Sequence, residues 1–285
     1  MYRILSRRKL ALGIHRFKVT AAAVAARARP GQFVIIRLDE RGERIPLTIA
    51  DWDRDEGSLT LVVMETGMTT HRLARLKGGS SLADLTGPLG KPTEIERFGT
   101  VVLVAGGFAV ATITPIARAM KEAGNRVISI VGARGKERLF WMDRLAAESD
   151  RLIIATDDGS RGRRGVVTEP LREILESGEK IDRVIAIGPA IMMKFCARTT
   201  QPFNVKTIVS LNPIMVDGIG MCGVCRVSVG GVTRFACIDG PDFDGHQVDW
   251  DLFIARQKTY VDEERLSLDR WRCQHGSQSC GGDEG

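Results

Sequence analysis

From Val101 onward, short apolar runs alternate with segments of helical periodicity, and this alternation restricts the possible folds more than any other feature of the chain. The apolar runs predict the strands Val101–Val104, Val127–Val131, Leu152–Ala155 and Val184–Ile187. The remaining segments predict helices through Ile116–Glu122, Leu139–Glu148, Val167–Leu175 and Ile191–Ala197. Strands that are apolar throughout must be covered on both faces, so the pattern predicts a doubly wound parallel sheet, to which Lys206–Leu211 can add a strand.

The first 97 residues have a different pattern, in which short β-rich runs follow one another closely. The predicted strands are Ile14–Val19, Phe33–Leu38, Leu47–Asp51 and Leu59–Glu65. Turn residues at Pro30-Gly31 and Gly87–Gly90 separate some of them, and one predicted helix, at about Thr70–Lys77, is closed by Gly78-Gly79. This pattern predicts a small antiparallel β-barrel.

The last part of the chain changes again and suggests a third unit. Met215–Pro241 is rich in glycine and cysteine and contains a predicted hairpin of Arg226–Val229 and Val232–Ala236, while Val248–Trp271 is polar and compatible with helix. We therefore divide the chain into a barrel at 1–97, an α/β domain at 98–212, a cysteine-bearing subdomain with a C-terminal helix at 213–271, and a flexible tail at 272–285.

Composition excludes several classes of protein. Of the 285 residues, 44% are hydrophobic and 27% charged, as in ordinary globular proteins, and no run approaches the ~20 apolar residues of a membrane helix. The apolar stretch after Arg7-Arg8-Lys9 is too short for a secretory signal, so we expect a cytoplasmic protein. The net charge of +6 is spread along the chain and aromatic residues make up only 6%, so we expect no nucleic-acid partner.

Three of the six cysteines lie within sixteen residues and follow an acidic residue. The spacing is Asp217-x4-Cys222-x2-Cys225-x11-Cys237, which matches the plant-type 2Fe–2S pattern with aspartate in place of the first cysteine. Clustered thiols in a cytosolic chain indicate a metal rather than disulfides. A Cys3Asp zinc site and a metal-free loop, in which Asp217 merely forms a turn, are the alternatives to a 2Fe–2S cluster with Asp217 as its fourth ligand.

Three loops of the predicted parallel sheet carry residues that suit a nucleotide. They are Gly106-Gly107 after the first strand, Asp157-Asp158-Gly159 after the third, and Gly188-Pro189 after the fourth. The carboxyl ends of parallel strands share one edge, where open α/β sheets bind ligands and where a helix N-terminus can face a pyrophosphate. Each loop by itself is also compatible with a simple strand-to-helix turn.

Several motifs, taken in order, identify a family resemblance. They are Ala28–Val34, Arg44–Thr48, Gly67–Thr70 followed by Leu73, Gly87–Gly90, Ala105–Gly107, Thr156–Ser160, Gly188-Pro189 and the cysteine loop. Over about residues 1–270 the chain resembles the iron–sulfur-containing flavin reductases of the ferredoxin–NADP reductase superfamily. Within it, the chain looks most like the small subunits of NADH-dependent reduced ferredoxin:NADP+ oxidoreductases, and is close to dihydroorotate dehydrogenase electron-transfer subunits.

The resemblance implies an FAD-binding barrel, an NAD(H)-binding sheet and a C-terminal cluster. Arg44, Pro46, Leu47 and Thr48 would line the flavin, with its ring against Pro46 and Leu47. Gly67, Thr69 and Thr70 would meet the pyrophosphate, although the two threonines also suit an ordinary helix N-cap. Pyridine nucleotide would bind at Gly106, Gly107, Ala109, Asp157, Asp158, Gly159, Gly188 and Pro189.

Some positions depart from the family pattern. In relatives an arginine stands three residues before the threonine of the flavin motif, whereas here Ile45 stands there and Arg44 is one step earlier. The nucleotide turn has Ala109 in place of a glycine and Thr112 in place of a proline. An added methyl group at 109 could crowd the nucleotide, so loss of NAD(H) binding is one alternative.

The implied activity is electron transfer between NAD(H), FAD and a 2Fe–2S cluster, to or from a larger redox subunit. That partner would be a flavin and iron–sulfur protein resembling glutamate synthase, in a heterodimer or larger complex. Because the cofactors carry the redox chemistry, we assign no catalytic side chain. The alternatives are a partner of the dihydroorotate dehydrogenase or hydrogenase type, and a non-catalytic subunit that conducts electrons without binding NAD(H).

Overall fold

The computed structural model describes residues 2–275 and begins with a seven-stranded antiparallel sheet. Its strands are β1 (Tyr2–Ala11), β2 (Ile14–Thr20), β3 (Phe33–Arg37), β4 (Arg44–Asp53), β5 (Ser58–Met64), β6 (Ser81–Leu82) and β7 (Asp84–Leu89). They lie in the order β6-β1-β2-β5-β4-β3-β7. Two short helices accompany this sheet, α1 (Ala22–Ala25) and α2 (Met68–Arg75). The predicted antiparallel barrel is confirmed as a nearly closed sheet.

The middle of the chain alternates between strands and helices, except that the two-residue strand β11 follows β10 directly. The strands are β8 (Thr100–Gly106), β9 (Arg126–Ala133), β10 (Arg151–Thr156), β11 (Arg163–Arg164), β12 (Arg183–Ile187) and β13 (Thr207–Ser210). The helices are α3 (Val110–Glu122), α4 (Met142–Ala147), α5 (Thr168–Glu176) and α6 (Ala190–Thr200). Every residue of β8 from Val101 to Gly106 is buried, which is the burial expected of a strand covered on both faces.

The C-terminal part consists of a hairpin, a short strand and two helices. They are β14 (Arg226–Val229), β15 (Val232–Phe235), β16 (Asp242–Asp244), α7 (Trp250–Gln257) and α8 (Val261–His275). The second large sheet has the order β11-β10-β9-β8-β12-β13-β16, and all its pairs are parallel except β13 with β16. The parallel sheet is thus confirmed, and a strand from the predicted third unit completes its edge.

Four apolar cores hold these parts together. One fills the barrel, and one lies on each face of the parallel sheet. The core that contains Leu103 and Ile113 also takes in Ile14, Ala50 and Val62 of the barrel, so the two sheets share buried surface. The fourth core joins β3 to the glycine- and cysteine-rich stretch at 215–241, which we call the cysteine segment.

Several sequence predictions need correction. The strand β1 was not predicted, because four basic residues interrupt its apolar pattern. The turn predicted at Gly87–Gly90 begins within β7, where pairing with β3 keeps Gly87–Leu89 extended. The polar C-terminal segment forms two helices rather than one, and α8 continues to His275, four residues into the predicted tail. The remainder of that tail, with Cys280, lies outside the described residues.

Within residues 2–275 no helix combines the length and the apolar character that a membrane crossing requires.

Candidate functional site

The cysteine segment packs directly on the barrel through two of its thiols. Cys225 and Cys237 are each 2% exposed and share the fourth core with Phe33 and Ile35 of β3. Their sulfur atoms are 3.2 Å apart. Burial is the main reason that the pKa of the Cys237 thiol rises to about 12. Because a bound cation would offset that cost for the thiolate, the pair is suited to hold a metal.

The other two predicted ligands lie at the outer side of the same loop. Cys222 is exposed, and Asp217 accepts hydrogen bonds from the backbone N–H groups of Ile219 (3.0 Å) and Cys222 (2.6 Å). Burial raises the pKa of Asp217, but these hydrogen bonds outweigh it and hold the pKa below its usual value. Within residues 2–275 no three ligand-type side chains are gathered in a metal-binding geometry. The structure therefore brings together two of the four residues.

The chemistry of this loop fits an iron–sulfur cluster. Three thiols and one carboxylate fall within 21 positions, and two of the sulfurs lie side by side in a buried apolar core. Gly218 has a φ of +74°, and a Cβ there would lie 2.7 Å from Leu89 and 3.0 Å from Ile35. Only glycine lets the backbone next to Asp217 approach the barrel so closely.

Strand β4 places the predicted flavin residues on two different faces. In the regular pairing of β3 with β4, Phe33 faces Thr48 and Ile35 faces Pro46. Directly opposed residues share a face of the sheet, so Pro46 and Thr48 lie on the face that carries the cysteine segment. Leu47 instead packs against the barrel core on the other face.

The alternation of β4 also bears on the displaced arginine. Residues two and four positions apart share a face of a strand, so Arg44 lies on the same face as Pro46 and Thr48. Ile45, at the position where relatives carry the arginine, packs against the barrel core. Arg44 is exposed, and its side chain can therefore reach a ligand bound on that face.

The N-terminus of α2 lies beside the start of β4. Thr70 bonds back to Gly67, the residue that precedes the helix: its hydroxyl accepts the Gly67 N–H at 3.0 Å and donates to the Gly67 carbonyl at 2.9 Å. Thr69 is buried and its hydroxyl contacts the Glu43 carboxylate. Both hydroxyl groups are thus engaged within the protein, and the backbone N–H groups of the first turn remain as the anion-binding groups.

The three predicted nucleotide loops meet at one edge of the parallel sheet. A Cβ on Gly106 would lie 2.5 Å from the Met192 sulfur and 2.8 Å from Pro189, so the loops after β8 and β12 are in contact. Gly107 has a φ of +59°, and no described atom lies within 4 Å of the place its Cβ would take. Its backbone therefore faces open space, as close approach of a nucleotide requires.

The loop after β10 contributes the acidic residues of this edge. Asp157 and Asp158 are exposed. The hydroxyl and the backbone N–H of Ser160 both donate to Asp158, and these bonds hold the pKa of Asp158 below its usual value. Gly159 has a φ of +74° and a Cβ there would meet Arg164 at 3.1 Å. The loop therefore has a fixed shape at the nucleotide edge.

The two departures in the nucleotide turn are buried. Ala109 is 4% exposed and packs in the core shared by the two sheets, and Thr112 is 6% exposed within α3. The Ala109 methyl group therefore occupies core rather than the open side of the turn.

Sequence reasoning missed two contributors to the site. Phe33 and Ile35 form the wall between the cysteine segment and Pro46, but in sequence they are ordinary strand residues. Trp271 of α8 packs on α2, stacking on His71 with ring centroids 5.8 Å apart. An isolated aromatic residue in a polar helix was the only available signal.

Comparisons with known proteins agree with this geometry. The sequence model of the iron–sulfur cluster binding domain of dihydroorotate dehydrogenase B matches residues 212–249, which contain all four predicted ligands. A dihydroorotate dehydrogenase B (NAD(+)) electron transfer subunit homolog of Thermotoga maritima is 48% identical over 268 residues, which cover 94% of each chain. The chain belongs to this family.

Solved structures place the family within a wider fold. A chain from the structure of an NADH-dependent reduced ferredoxin–NADP oxidoreductase, described in connection with flavin-based electron bifurcation, superposes with a TM-score of 0.90 at 48% identity, covering 95% of this chain and 98% of its own. A ferredoxin NADP+ reductase from Neisseria gonorrhoeae, solved with FAD and NADP, shares the fold alone, with a TM-score of 0.60, 18% identity and coverage of 71% and 90%. The predicted family resemblance and fold class are confirmed. The family's iron–sulfur, flavin and pyridine-nucleotide cofactors agree with the sequence prediction, and its role is redox.

Proposed function

We infer that this chain is the electron-transfer subunit of a redox complex, in which it binds NAD(H), FAD and a 2Fe–2S cluster and exchanges electrons with a larger partner subunit. FAD supplies the step between the two-electron chemistry of NADH and the one-electron chemistry of the cluster. The observation that carries the proposal is the shared face of β3 and β4, on which Arg44, Pro46 and Thr48 lie next to the cysteine segment.

On that face, the chain would bind the two redox groups side by side. Pro46 and Thr48 would support the flavin ring, Arg44 would reach its phosphate side, and the backbone of Leu47 would complete the wall. Phe33 and Ile35 lie opposite Thr48 and Pro46, and opposed Cβ atoms in an antiparallel pair are about 4.5–5.5 Å apart. The side chains of Phe33 and Ile35 would therefore be all that separates the flavin site from the cluster site. Asp217, Cys222, Cys225 and Cys237 would hold the cluster.

The first turn of α2 would bind the pyrophosphate of FAD. The backbone N–H groups of Thr69 and Thr70 would donate to it, and Gly67, which has open space where a side chain would stand, would let it approach closely. The Thr70 hydroxyl keeps the helix start in place. The Glu43 carboxylate contacts the Thr69 hydroxyl at this helix start, and a bound pyrophosphate would displace it.

Pyridine nucleotide would bind at the edge formed by Gly106, Gly107, Gly188 and Pro189, with Asp157, Asp158 and Gly159 at its far side. The burial of Ala109 and Thr112 supports retained NAD(H) binding, because neither side chain stands on the open side of the turn. The chain would therefore act as a pyridine-nucleotide-dependent oxidoreductase subunit. The domain boundaries at 97, 212 and 271 remain our functional division of the chain.

The outer face of the cysteine segment would dock the larger subunit. Val216, Ile219, Met221 and Ile238 are all exposed around Cys222, and Met221 is 82% exposed. Contiguous exposed apolar side chains mark interaction surfaces. The relatives' own description as electron transfer subunits agrees with such a partner.

The test is anaerobic addition of NADH to the flavin-loaded chain, followed by absorbance. We expect bleaching of the flavin band, and weaker nucleotide binding in Gly107→Leu, whose side chain would fill the open side of the turn. Gly178→Leu is the matched control, because Gly178 has a similar φ of +78° and also faces open space. A flavin that stays oxidised at millimolar NADH and NADPH would contradict the proposal.

A further inference from the structure

The C-terminal helix α8 has no place in the function described so far. It lies outside residues 212–249, which match the cluster-binding family. Yet it is anchored on α2: Trp271 is 8% exposed, stacks on His71, and has the Arg75 guanidinium 4.3 Å from its ring centre. A polar helix held in this way next to a predicted cofactor site needs an explanation.

An open pocket of about 400 Å³ lies between the two helices at the protein surface. Met68 lines it from α2, and Glu263, Leu266, Ser267, Arg270, Trp271 and Gln274 line it from α8. The α8 residues recur at intervals of three and four, so they form one stripe of the helix. The pocket is wide enough to take part of a small ligand that extends from the first turn of α2.

The pocket begins where the predicted pyrophosphate site ends. Met68 is the first residue of α2 and stands between Gly67 and Thr69 in the chain. Ser267 lies close to it, with its hydroxyl 3.7 Å from the Met68 sulfur. Along the surface, the order is therefore the flavin wall of β4, the first turn of α2, and then this pocket.

The lining suits a heteroaromatic base attached to a sugar. Met68 and Leu266 offer apolar surface to a ring. Ser267 and Gln274 can donate to and accept from a base edge, and the Glu263 carboxylate can accept from ribose hydroxyl groups. Arg270 adds a positive charge near the phosphate side.

We propose that the pocket between α2 and α8 binds the adenosine half of FAD, so that α8 makes this chain select FAD over FMN. The proposal rests on the proposed function, because it assumes that the first turn of α2 holds the flavin's pyrophosphate. FMN lacks the adenosine and its phosphate ends at α2. The contacts made by α8 therefore contribute to the affinity for FAD and not to that for FMN.

The test compares FAD and FMN binding by the full chain after flavin removal, measured by flavin fluorescence. Ser267→Trp places an indole in the pocket, and we expect FAD to bind about tenfold more weakly or worse, equivalent to about 1.4 kcal/mol, with FMN affinity unchanged. Arg265→Trp is the matched control, because Arg265 is exposed on the opposite side of α8. It should leave both affinities unchanged.

A second variant guards against misfolding. Trp271→Ala removes the anchor of α8 without adding bulk, and it should also weaken FAD selectively. Equal loss of FAD and FMN affinity in both variants, or no loss of either, would overturn the assignment of the pocket and leave the proposed function standing. A wild-type chain that binds neither flavin would contradict the proposed function itself, and the pocket assignment with it.

Discussion

The parallel sheet and the cysteine segment are held in shape by different means. In the sheet, strands such as Val101–Gly106 are buried along their whole length, and their order follows from the alternation with helices. In the cysteine segment, a glycine-rich loop lies on the barrel through two buried thiols, while Cys222 and Met221 remain exposed. The parallel sheet is held together by its own buried side chains, whereas the cysteine segment would depend on a bound iron–sulfur cluster for part of its structure.

The largest expected difference is in metal content. Cys225→Ser removes one of the two buried sulfurs, so we expect the purified chain to lose its iron and its visible cluster absorbance. Cys196→Ser is the matched control: this cysteine is fully buried in the parallel-sheet core, where burial raises its pKa to about 12. It should retain full iron content and lose only stability. Iron analysis and absorbance check both, and iron loss in Cys196→Ser alone would reverse the comparison.

A core substitution in the sheet should give the opposite result. Leu103→Ala leaves a cavity at a position that is 0% exposed, and we expect a cost of about 2–5 kcal/mol in the free energy of unfolding. Urea unfolding measures that cost, and iron per folded chain should not change. Loss of iron in the folded variant would show that the two regions are not independent.

The close approach of the loop to the barrel can be tested at one glycine. Gly218→Ala should cost about 1–3 kcal/mol from its positive φ and also push the loop away from Ile35 and Leu89. Gly178→Ala carries the same backbone strain in open space. We expect only the first to slow electron transfer from flavin to cluster in stopped-flow absorbance. Equal rates in both variants would refute a role for the contact.

The smallest effect concerns a charge cluster in the barrel. Glu65 bonds to His15 and His71, and Arg7 lies 3.2 Å from His15. Burial raises the pKa of Glu65. The hydrogen bond and charge of His15 and the charge of His71 outweigh burial, so the pKa lies below its usual value. A lowered pKa in the folded state means that the carboxylate stabilises the fold above the pKa of the unfolded chain, about 4.3, and that this stabilisation is lost as pH falls.

Glu65→Gln should therefore destabilise the protein near neutral pH, with a difference from wild type that shrinks below about pH 4. Urea midpoints at several pH values measure this difference. Glu122→Gln, at an exposed position, is the control and should show no such trend. A difference that stays constant with pH would contradict the role given to the Glu65 carboxylate.

The parallel sheet and the cysteine segment also differ in how well the sequence predicts them. The strands of the parallel sheet could be read from sequence because continuous burial leaves a continuous apolar run. Strand β1 could not, because its pairing with β2 and β6 supplies hydrogen bonds that its basic residues do not reveal. At the site, the spacing of the cysteines was informative, and the three cysteines and Asp217 all lie within the matched cluster-binding segment.

The sequence did not predict which of the flavin-motif residues lie on the same face of strand β4. That Leu47 turns inward while Arg44 lies with Thr48 depends on strand register, which the motif does not specify. The wall of Phe33 and Ile35 arises from contact between segments nearly 200 residues apart. Such contacts leave no local pattern in the sequence.

The most direct test of the account is the order in which the two redox groups are reduced. The wild-type chain, loaded with flavin and cluster, is mixed with NADH without oxygen while absorbance and electron paramagnetic resonance are followed. We predict that the flavin band bleaches first and the cluster is reduced after it, and that a flavin-free chain with an intact cluster shows no cluster reduction. Reduction of the cluster by NADH in the flavin-free chain would contradict the account.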